Sequence, residues 1–431
     1  MKKILVYSHD TYGLGNIRRM MAVVEYLAKE MDDVSILVLS GSPMLQAFRM
    51  APGIDYIKLP CLTRTDDGKY SPKTLGLSHD RVLGLRADLI LNTVLEFAPD
   101  VIIVDKKPLG VQNELAPTLD VIRRKANRPK LILLLREILD APAKTIDVWS
   151  RNGYHDVIRE LYDRVLVLGT QQIFDTAKEY RFPQATLEKV VYCGYIAKPP
   201  GRRGVSEIRE ELGVGNRKLV LVTAGGGADG FRLLAAYILG LRKKAGKGLH
   251  SLIFVGPEMD AEQQRTLRTL AADMPDLHLL EFSDDVMSYM NAADVIVSMA
   301  GYNTITEILS LEKEAVVVPR TRPVEEQWIR ATRLERLGLI SVIHPDQLTT
   351  GRLFAAIRVR LNGESARLCK VRPAMQALHR VAMTVNELLR YRDESGWGQL
   401  LTDGQRAPAL AAATRSNVTS MRNFNAKMST T

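Results

Sequence analysis

The chain has 431 residues, of which 46% are hydrophobic, and this length suits two or three domains with full hydrophobic cores. Its 59 lysines and arginines exceed its 49 aspartates and glutamates, which gives a net charge of +10. There is no run of 18 apolar residues to span a membrane, and the 6% aromatic content with no recognised binding module argues against nucleic acid as a partner.

Short β-branched runs alternate with longer amphipathic segments through the first half of the chain. The strand candidates are KILVYS, VSILVLS, IDYIKL, VIIVD, KLILLL, RVLVLG and VVYCGYI, and helical patterns such as NIRRMMAVVEYLAKEM lie between them. This alternation is typical of a parallel sheet flanked by helices. We interpret MKKILVYSHD as the first strand and not as a signal peptide, because its apolar stretch is short and it lacks a cleavage pattern.

The stretch AKPPGRRGVSE predicts a linker, after which the alternation restarts with KLVLVTAGGG, HSLIFVG, LHLLEF, DVIVSMAG, AVVVPR and LISVIH. The predicted fold class is therefore α/β, with two Rossmann-like doubly wound domains facing a cleft. The predicted divisions are an N-terminal domain at 1–197, a linker at 198–207, a C-terminal domain at 208–365, a basic helix at 366–393 and a disordered tail at 394–431.

Unusual residues follow three of the predicted strands, where a helix begins. In YSHDTYGLGNIRR, Gly13 and Gly15 allow a close backbone approach to a ligand. A dinucleotide fingerprint fails here, because Arg18 replaces its third glycine and LVLSGS lacks the acidic residue that binds a ribose. The sequence therefore disfavours an NAD-dependent oxidoreductase, and a glycine turn without a ligand is the alternative.

The other two junctions lie in the second half, in TAGGGADGF and SMAGYNTITE. Consecutive glycines predict either a phosphate site or close packing of strand and helix. In the second stretch, we expect Asn303 and Thr304 to cap the helix and, with its free N–H groups, to hold a diphosphate. Glu307 lies one turn further on, where its carboxylate can accept hydrogen bonds from ribose hydroxyls. The alternative is a capped helix with a solvent-facing glutamate.

A family resemblance rests on these segments in their order. TAGGGADG, EFSDDVMSYMNAADVIVSMAGYNTITE and VVVPRTRPVEEQWIRA resemble the donor-binding half of GT-B glycosyltransferases, particularly the family 28 group that contains the bacterial peptidoglycan N-acetylglucosaminyltransferase. The first half resembles bacterial predicted glycosyltransferases that begin with HDxxGLGxxRR. The resemblance implies a metal-independent enzyme without a cofactor that moves a hexosyl group from a nucleotide-diphosphate sugar, usually a UDP-sugar, to an acceptor hydroxyl.

The resemblance also implies roles for individual residues. Phe282 and Ser283 match a segment that meets the nucleobase, Glu307 matches the ribose-binding carboxylate, and Gln327 matches a donor-sugar contact. Its neighbour Glu326 stands where a glutamine is more usual. The full set expected to bind the nucleotide sugar is Gly13, Gly15, Gly225, Gly226, Gly227, Asp229, Phe282, Ser283, Gly301, Asn303, Thr304, Glu307, Glu326 and Gln327.

The expected catalytic residues are His9, Asp10 and Asn16. Asn16 occupies the position where related enzymes often carry a histidine, and an amide cannot accept a proton. His9 could instead deprotonate the acceptor hydroxyl with Asp10 orienting it, unless His9 is a packed histidine at a strand end. Loss of the base leaves a non-catalytic nucleotide-sugar-binding or sensing protein as the main alternative function. A sugar-nucleotide 2-epimerase of the same fold is another.

The acceptor and the location of the protein are less sharply defined. Loops at 61–75 and 141–154 are expected to read the acceptor, which could be a glycan, a lipid-linked molecule or a small molecule. Nine arginines and lysines against two glutamates in 351–392 would suit contact with an anionic membrane, or simply a solvated helix face. Three separated cysteines suit a reducing cytoplasm. We therefore predict a cytoplasmic protein that can associate with the inner face of the membrane.

Overall fold

The computed structural model describes residues 1–9, 15–64, 70–363 and 372–390, and it arranges them around two parallel β-sheets. One sheet has seven strands and the other has six, and each forms the centre of one lobe. Helices cover the sheets, so the predicted pair of doubly wound α/β domains is confirmed.

The first lobe contains the N-terminal elements and a small antiparallel pair formed by two of its strands. In chain order its elements are β1 (Lys2–Ser8), α1 (Gly15–Glu30), β2 (Val34–Ser40), β3 (Ile54–Lys58), β4 (Leu62–Arg64), β5 (Tyr70–Pro72), α2 (His79–Phe97), β6 (Val101–Asp105), α3 (Ala116–Arg123), β7 (Lys130–Arg136), α4 (Pro142–Arg151), α5 (Tyr154–Leu161), β8 (Arg164–Leu168), α6 (Thr176–Glu179), α7 (Gln184–Leu187) and β9 (Val190–Tyr192). The antiparallel pair is β4 with β5.

The second lobe follows the Pro- and Gly-rich stretch. Its elements are α8 (Val205–Glu211), β10 (Lys218–Thr223), α9 (Phe231–Arg242), β11 (Leu249–Phe254), α10 (Ala261–Ala271), β12 (Leu277–Leu280), α11 (Val286–Ala292), β13 (Val295–Ser298), α12 (Tyr302–Ser310), β14 (Glu314–Val317), α13 (Glu326–Arg336), β15 (Ser341–Val342) and α14 (Thr350–Leu361). The last described helix is α15 (Ala377–Arg390), which packs against α1 of the first lobe.

The apolar strand runs are buried because helices cover both faces of each sheet. All five residues of β6 are buried, as are the four residues of β13. Continuous rather than alternating apolar runs are what parallel strands covered on both sides require. The β-branched residues in these runs also favour the extended backbone.

The strand order of each sheet determines where a ligand can bind. The first sheet has the order β3-β2-β1-β6-β7-β8-β9 and the second has the order β12-β11-β10-β13-β14-β15. The connections reverse direction between β1 and β6, and again between β10 and β13. Beyond the carboxyl ends of strands at such a reversal, the following loops diverge and leave a crevice. In the second lobe, this crevice brings together the glycine loop after β10 and the start of α12.

In its described part, the basic segment at 351–392 does not form one continuous surface. Its described part is divided between α14 in the second lobe and α15 against the first lobe. Within α14, the Arg360 guanidinium is buried and pairs with Glu314 at 2.9 Å, so one of the nine cations serves packing. The predicted tail at 394–431 lies outside the described residues. Over the described ranges, no helix has the length and apolarity needed to cross a membrane.

Candidate functional site

A pocket of about 340 Å³ lies between the two lobes at the crevice of the second sheet. Its lining unites residues that are far apart in the sequence, including most of those expected to bind a nucleotide sugar. These are Gly15, Gly225, Gly226, Gly227, Asp229, Phe282, Ser283, Gly301, Asn303, Thr304, Glu307 and Gln327, together with Asn16 from the expected catalytic group.

The start of α12 forms the central part of the pocket wall. The helix begins at Tyr302 and its N-cap residue is Gly301, which has no side chain to accept a hydrogen bond. The expectation that Asn303 and Thr304 cap this helix was therefore wrong, because both residues already lie in its first turn. Asn303 Nδ2 instead donates to the carbonyl oxygen of Gly15 at 3.3 Å, across the two lobes. The N–H groups of the first turn thus face the pocket without an N-cap side chain over them, as an anion would require.

Two of the three consecutive glycines after β10, Gly225 and Gly227, have different surroundings. Gly227 has φ +99°, and a Cβ atom there would lie 2.6 Å from the carbonyl oxygen of Val255, so close packing requires glycine. Gly225 has φ +66°, but a Cβ atom there would meet no atom within 4 Å. Packing therefore explains Gly227, whereas Gly225 leaves open space at the pocket wall.

Glu307 lies at the bottom of the pocket and is only 4% exposed. Its Oε1 atom is 3.5 Å from Nη2 of Arg18, which comes from α1 of the first lobe. Burial raises the pKa of the Glu307 carboxyl, and the nearby cations Arg18 and Lys198 oppose that rise. The carboxylate expected to bind ribose is therefore engaged by a first-lobe arginine in this structure.

Gln327 and its neighbour Glu326 have different environments. Gln327 Oε1 accepts a hydrogen bond of 2.9 Å from the backbone N–H of Arg320, which leaves its amino group available to the pocket. Glu326 lies behind the pocket wall, where its carboxylate pairs with Arg136 and Arg330 at 2.7 Å each. Burial opposes ionisation of Glu326, but the two arginines outweigh it and lower its pKa to about 2. Its role as a substrate contact stays a prediction, and its position does not favour that role.

The buried cluster around Glu326 joins the lobes. Arg330 of α13 also pairs with Glu137, directly after β7, at 2.6 Å, and both side chains are fully buried. Arg136, the last residue of β7, belongs to this cluster and also lines the pocket. Arg136 was not among the residues predicted from the sequence. An arginine at the carboxyl end of an apolar strand is nevertheless a signal of a residue at the cleft, because these strand ends face the cleft.

The expected catalytic residues of the first lobe are only partly described. His9 is 1% exposed, and neither ring nitrogen has a hydrogen-bond partner among the described residues. Burial, followed by the charges of Lys106 and Lys107, lowers the pKa of His9 well below its usual value. His9 is therefore a neutral, enclosed side chain that does not line the pocket. Asp10 and Gly13 lie outside the described residues, so their roles stay predictions.

Asn16 uses its amide to contact His9, directly after β1, and Arg19 of α1. Its Nδ2 atom donates to the carbonyl oxygen of His9 at 2.9 Å, and its Oδ1 atom accepts from Arg19 at 3.3 Å. Arg19 in turn pairs with Asp105 at the end of β6 at 2.7 Å. In the described ranges, no group of three or more histidines, cysteines and carboxylates is arranged to hold a metal ion.

Comparisons with known proteins agree with this architecture. Residues 219–386 match the model of the glycosyltransferase family 28 C-terminal domain. A protein of Thermoanaerobacter sp. named UDP-N-acetylglucosamine--N-acetylmuramyl-(pentapeptide) pyrophosphoryl-undecaprenol N-acetylglucosamine transferase is 22% identical over 73% of this chain and 79% of its own length. The protein of the same name from Haemophilus ducreyi is 25% identical over 30% of this chain, which spans only 35% of that relative.

The similarity to solved structures extends over both lobes. The crystal structure of MurG from Acinetobacter baumannii has a TM-score of 0.59 with 15% sequence identity, and the match covers 90% of this chain and 100% of that one. At this identity the match shows the fold. The chain therefore has the GT-B fold and is similar to the family 28 glycosyltransferases, and its residues 219–386 match the C-terminal domain of that family.

Proposed function

We propose that the protein is a metal-independent hexosyltransferase that uses a nucleotide-diphosphate sugar, with UDP as the favoured nucleotide. The observation that carries this proposal is the assembly, in one pocket, of the α12 N-terminus, the Gly225 loop, Glu307 and Gln327. The match to the family 28 domain and the UDP-sugar in the names of both relatives support the same donor class.

In the proposed reaction, an acceptor hydroxyl oxygen attacks the anomeric carbon of the bound sugar. The bond from that carbon to the diphosphate breaks, the diphosphate leaves with the electron pair, and the hydroxyl proton passes to solvent water. The N–H groups at the start of α12 would stabilise its growing negative charge, because fixed dipoles aimed at developing charge lower the barrier. Arg18 would assist once ribose hydroxyls replace it on Glu307, since its side chain already lines the same pocket.

Calorimetric titration tests the donor site directly. We expect UDP to bind with micromolar affinity, more tightly than GDP, dTDP or NAD. A chelator should leave the affinity for UDP unchanged. Glu307→Ala should weaken UDP binding about tenfold to a hundredfold, because two hydroxyl contacts to a carboxylate are lost. The matched control is Glu262→Ala on the exposed face of α10. Failure of every nucleotide to bind would contradict the proposal.

A non-catalytic binding protein is the second candidate, and the position of His9 favours it. An enclosed neutral histidine and an amide at Asn16 leave no evident proton acceptor among the described first-lobe residues at the pocket. Release of UDP from UDP-sugars in the presence of glycan, lipid-linked and small-molecule acceptors separates the two functions. Turnover supports the transferase, whereas tight donor binding with no turnover across these acceptor classes supports the binding protein.

The acceptor class and the membrane contact are also proposals. The two relatives act, by their names, on a pyrophosphoryl-undecaprenol acceptor, which is a lipid. We propose by analogy that this protein takes a lipid-linked acceptor from a membrane surface. Sedimentation with vesicles that contain anionic lipid tests the contact, and recovery of all protein in the supernatant would contradict it.

A further inference from the structure

A second cavity adjoins the donor pocket on the second lobe. Its volume is about 620 Å³, and it lies beyond the carboxyl ends of β14 and β15. Asp229, Met299 and Arg320 line both cavities. The two cavities are therefore neighbours that share a wall, and a ligand could extend from one towards the other.

A nucleotide sugar bound in the proposed donor pocket would extend along the sheet towards this second cavity. The expected nucleobase position, Phe282, follows β12 at one edge of the sheet, and the diphosphate position follows β13. Gln327, which is expected to contact the donor sugar, lies in the first turn of the helix after β14. Because β15 is the next strand in the sheet, the far side of the sugar ring and any group beyond it would enter the second cavity.

Arginines are prominent in the lining of this cavity. Arg232 donates to the carbonyl oxygen of Pro345 at 3.3 Å, and Arg322 is exposed on the loop before α13. In the described part of the chain, neither of these arginines forms an ion pair with a carboxylate. Arg320 pairs with Asp229 at 3.0 Å, but its buried Nε atom has no hydrogen-bond partner among the described residues. Guanidinium groups with unused N–H donors are suited to bind a carboxylate through a pair of hydrogen bonds.

The remaining lining is suited to a sugar. Trp328 is half-buried in the cavity wall, and its ring meets His344 edge-on at a centroid distance of 4.9 Å. An indole ring offers a large rigid apolar surface with one polar atom, which fits the C–H face of a pyranose. The lining also holds the carboxylates of Asp346 and Glu325, which can accept hydrogen bonds from hydroxyl groups. Oδ2 of Asp346 lies 3.6 Å from Nδ1 of His344, and Glu325 is exposed.

We infer that the donor sugar is a uronic acid, whose carboxylate binds Arg232 and Arg322 in the second cavity while its ring rests near Trp328. This inference rests on the proposed donor function, and it names the chemical class of the sugar. The carboxylate takes no part in bond making or breaking, so its contribution is to affinity and selection among donors.

The test compares UDP, UDP-glucose and UDP-glucuronate by calorimetry at one ionic strength. We expect UDP-glucuronate to bind at least about tenfold more tightly than UDP-glucose, which is the contribution of one charge-assisted contact. In Arg232→Gln/Arg322→Gln, this preference should fall below about threefold, while the affinity for UDP alone stays unchanged. Fluorescence of Trp328, assigned by comparison with Trp328→Phe, should respond to UDP-glucuronate more strongly than to UDP.

The controls separate this inference from general charge effects and from the proposed function. Arg265→Gln/Arg268→Gln removes the same charge from the exposed face of α10 and should retain the preference. Equal affinities for the two UDP-sugars, or an equal loss in both double variants, would overturn the uronic acid. If methyl glucuronide binds the protein saturated with UDP-glucose and this binding is lost in Arg232→Gln/Arg322→Gln, the two arginines hold the carboxylate of an acceptor, which would also overturn the inference. No binding of UDP would overturn the donor function itself.

Discussion

Glu307 is the residue whose ionisation is expected to control donor binding. Burial raises the pKa of its carboxyl above the ordinary glutamate value of 4.5. The ionised form accepts the ribose hydroxyls, so UDP affinity should fall as the pH decreases, with a midpoint above 4.5. Calorimetry from pH 8 to pH 5 measures this. Because UDP also titrates, Glu307→Gln is measured in parallel, and an identical pH profile in the two proteins would refute the role of Glu307.

Glu326 should affect stability more than binding. Its pKa of about 2 lies below the ordinary value of 4.5, so it stabilises the fold above pH 4.5 and loses this effect as the pH falls towards 2. The difference corresponds to a free energy on the order of 3 kcal/mol. We expect Glu326→Gln to lower the free energy of unfolding at pH 7, and the gap from the native protein to narrow between pH 4.5 and pH 2. Denaturant unfolding at several pH values measures the gap, with Glu262→Gln as the control. A constant gap would contradict this ionisation.

At the scale of elements, the loop between β10 and α9 separates packing from binding. Gly227→Ala should lower the free energy of unfolding by about 1–3 kcal/mol, because φ +99° is strained for alanine and Val255 blocks the added methyl group. Gly225→Ala is also strained, since φ is +66°, but its methyl group meets no atom within 4 Å, so it should lower stability less than Gly227→Ala and should weaken UDP binding because it projects beside the pocket. Thermal unfolding and UDP titration of both variants measure this. A larger loss of stability in Gly225→Ala, with a larger loss of UDP affinity in Gly227→Ala, would contradict this assignment.

The same elements show how much the sequence could predict. Apolar strand runs and the glycine junctions were sufficient to place β10, β13 and the start of α12, because burial on both faces leaves a continuous apolar pattern. The predicted helix start lay two or three residues too late, because an asparagine or threonine resembles a cap wherever it stands near a helix start. Cross-lobe pairs such as Arg18 with Glu307 could not be predicted, because charged residues far apart in sequence carry no sign of their partners.

At the scale of the whole molecule, buried charges connect the lobes. Arg330 is fully buried and pairs with Glu137 of the first lobe and with Glu326. Arg330→Met leaves two buried carboxylates without this partner, which should lower the free energy of unfolding by about 3–5 kcal/mol. We expect calorimetry to show one unfolding transition in the native protein and two in the variant. Arg336→Met, on the exposed face of the same helix, should behave like the native protein. A single unshifted transition in Arg330→Met would contradict the coupling.

The return of α15 to the first lobe has a consequence for the synthesis of the protein. Its apolar residues, including Val381, Val385 and Leu388, are buried in the core that contains β1 and α1. N-terminal domains generally fold first as a chain emerges from the ribosome. Here the core of the first lobe is completed only by α15, which is translated some 350 positions after α1. The second lobe can complete its own sheet earlier, so the domain that is made first is the one that finishes folding last.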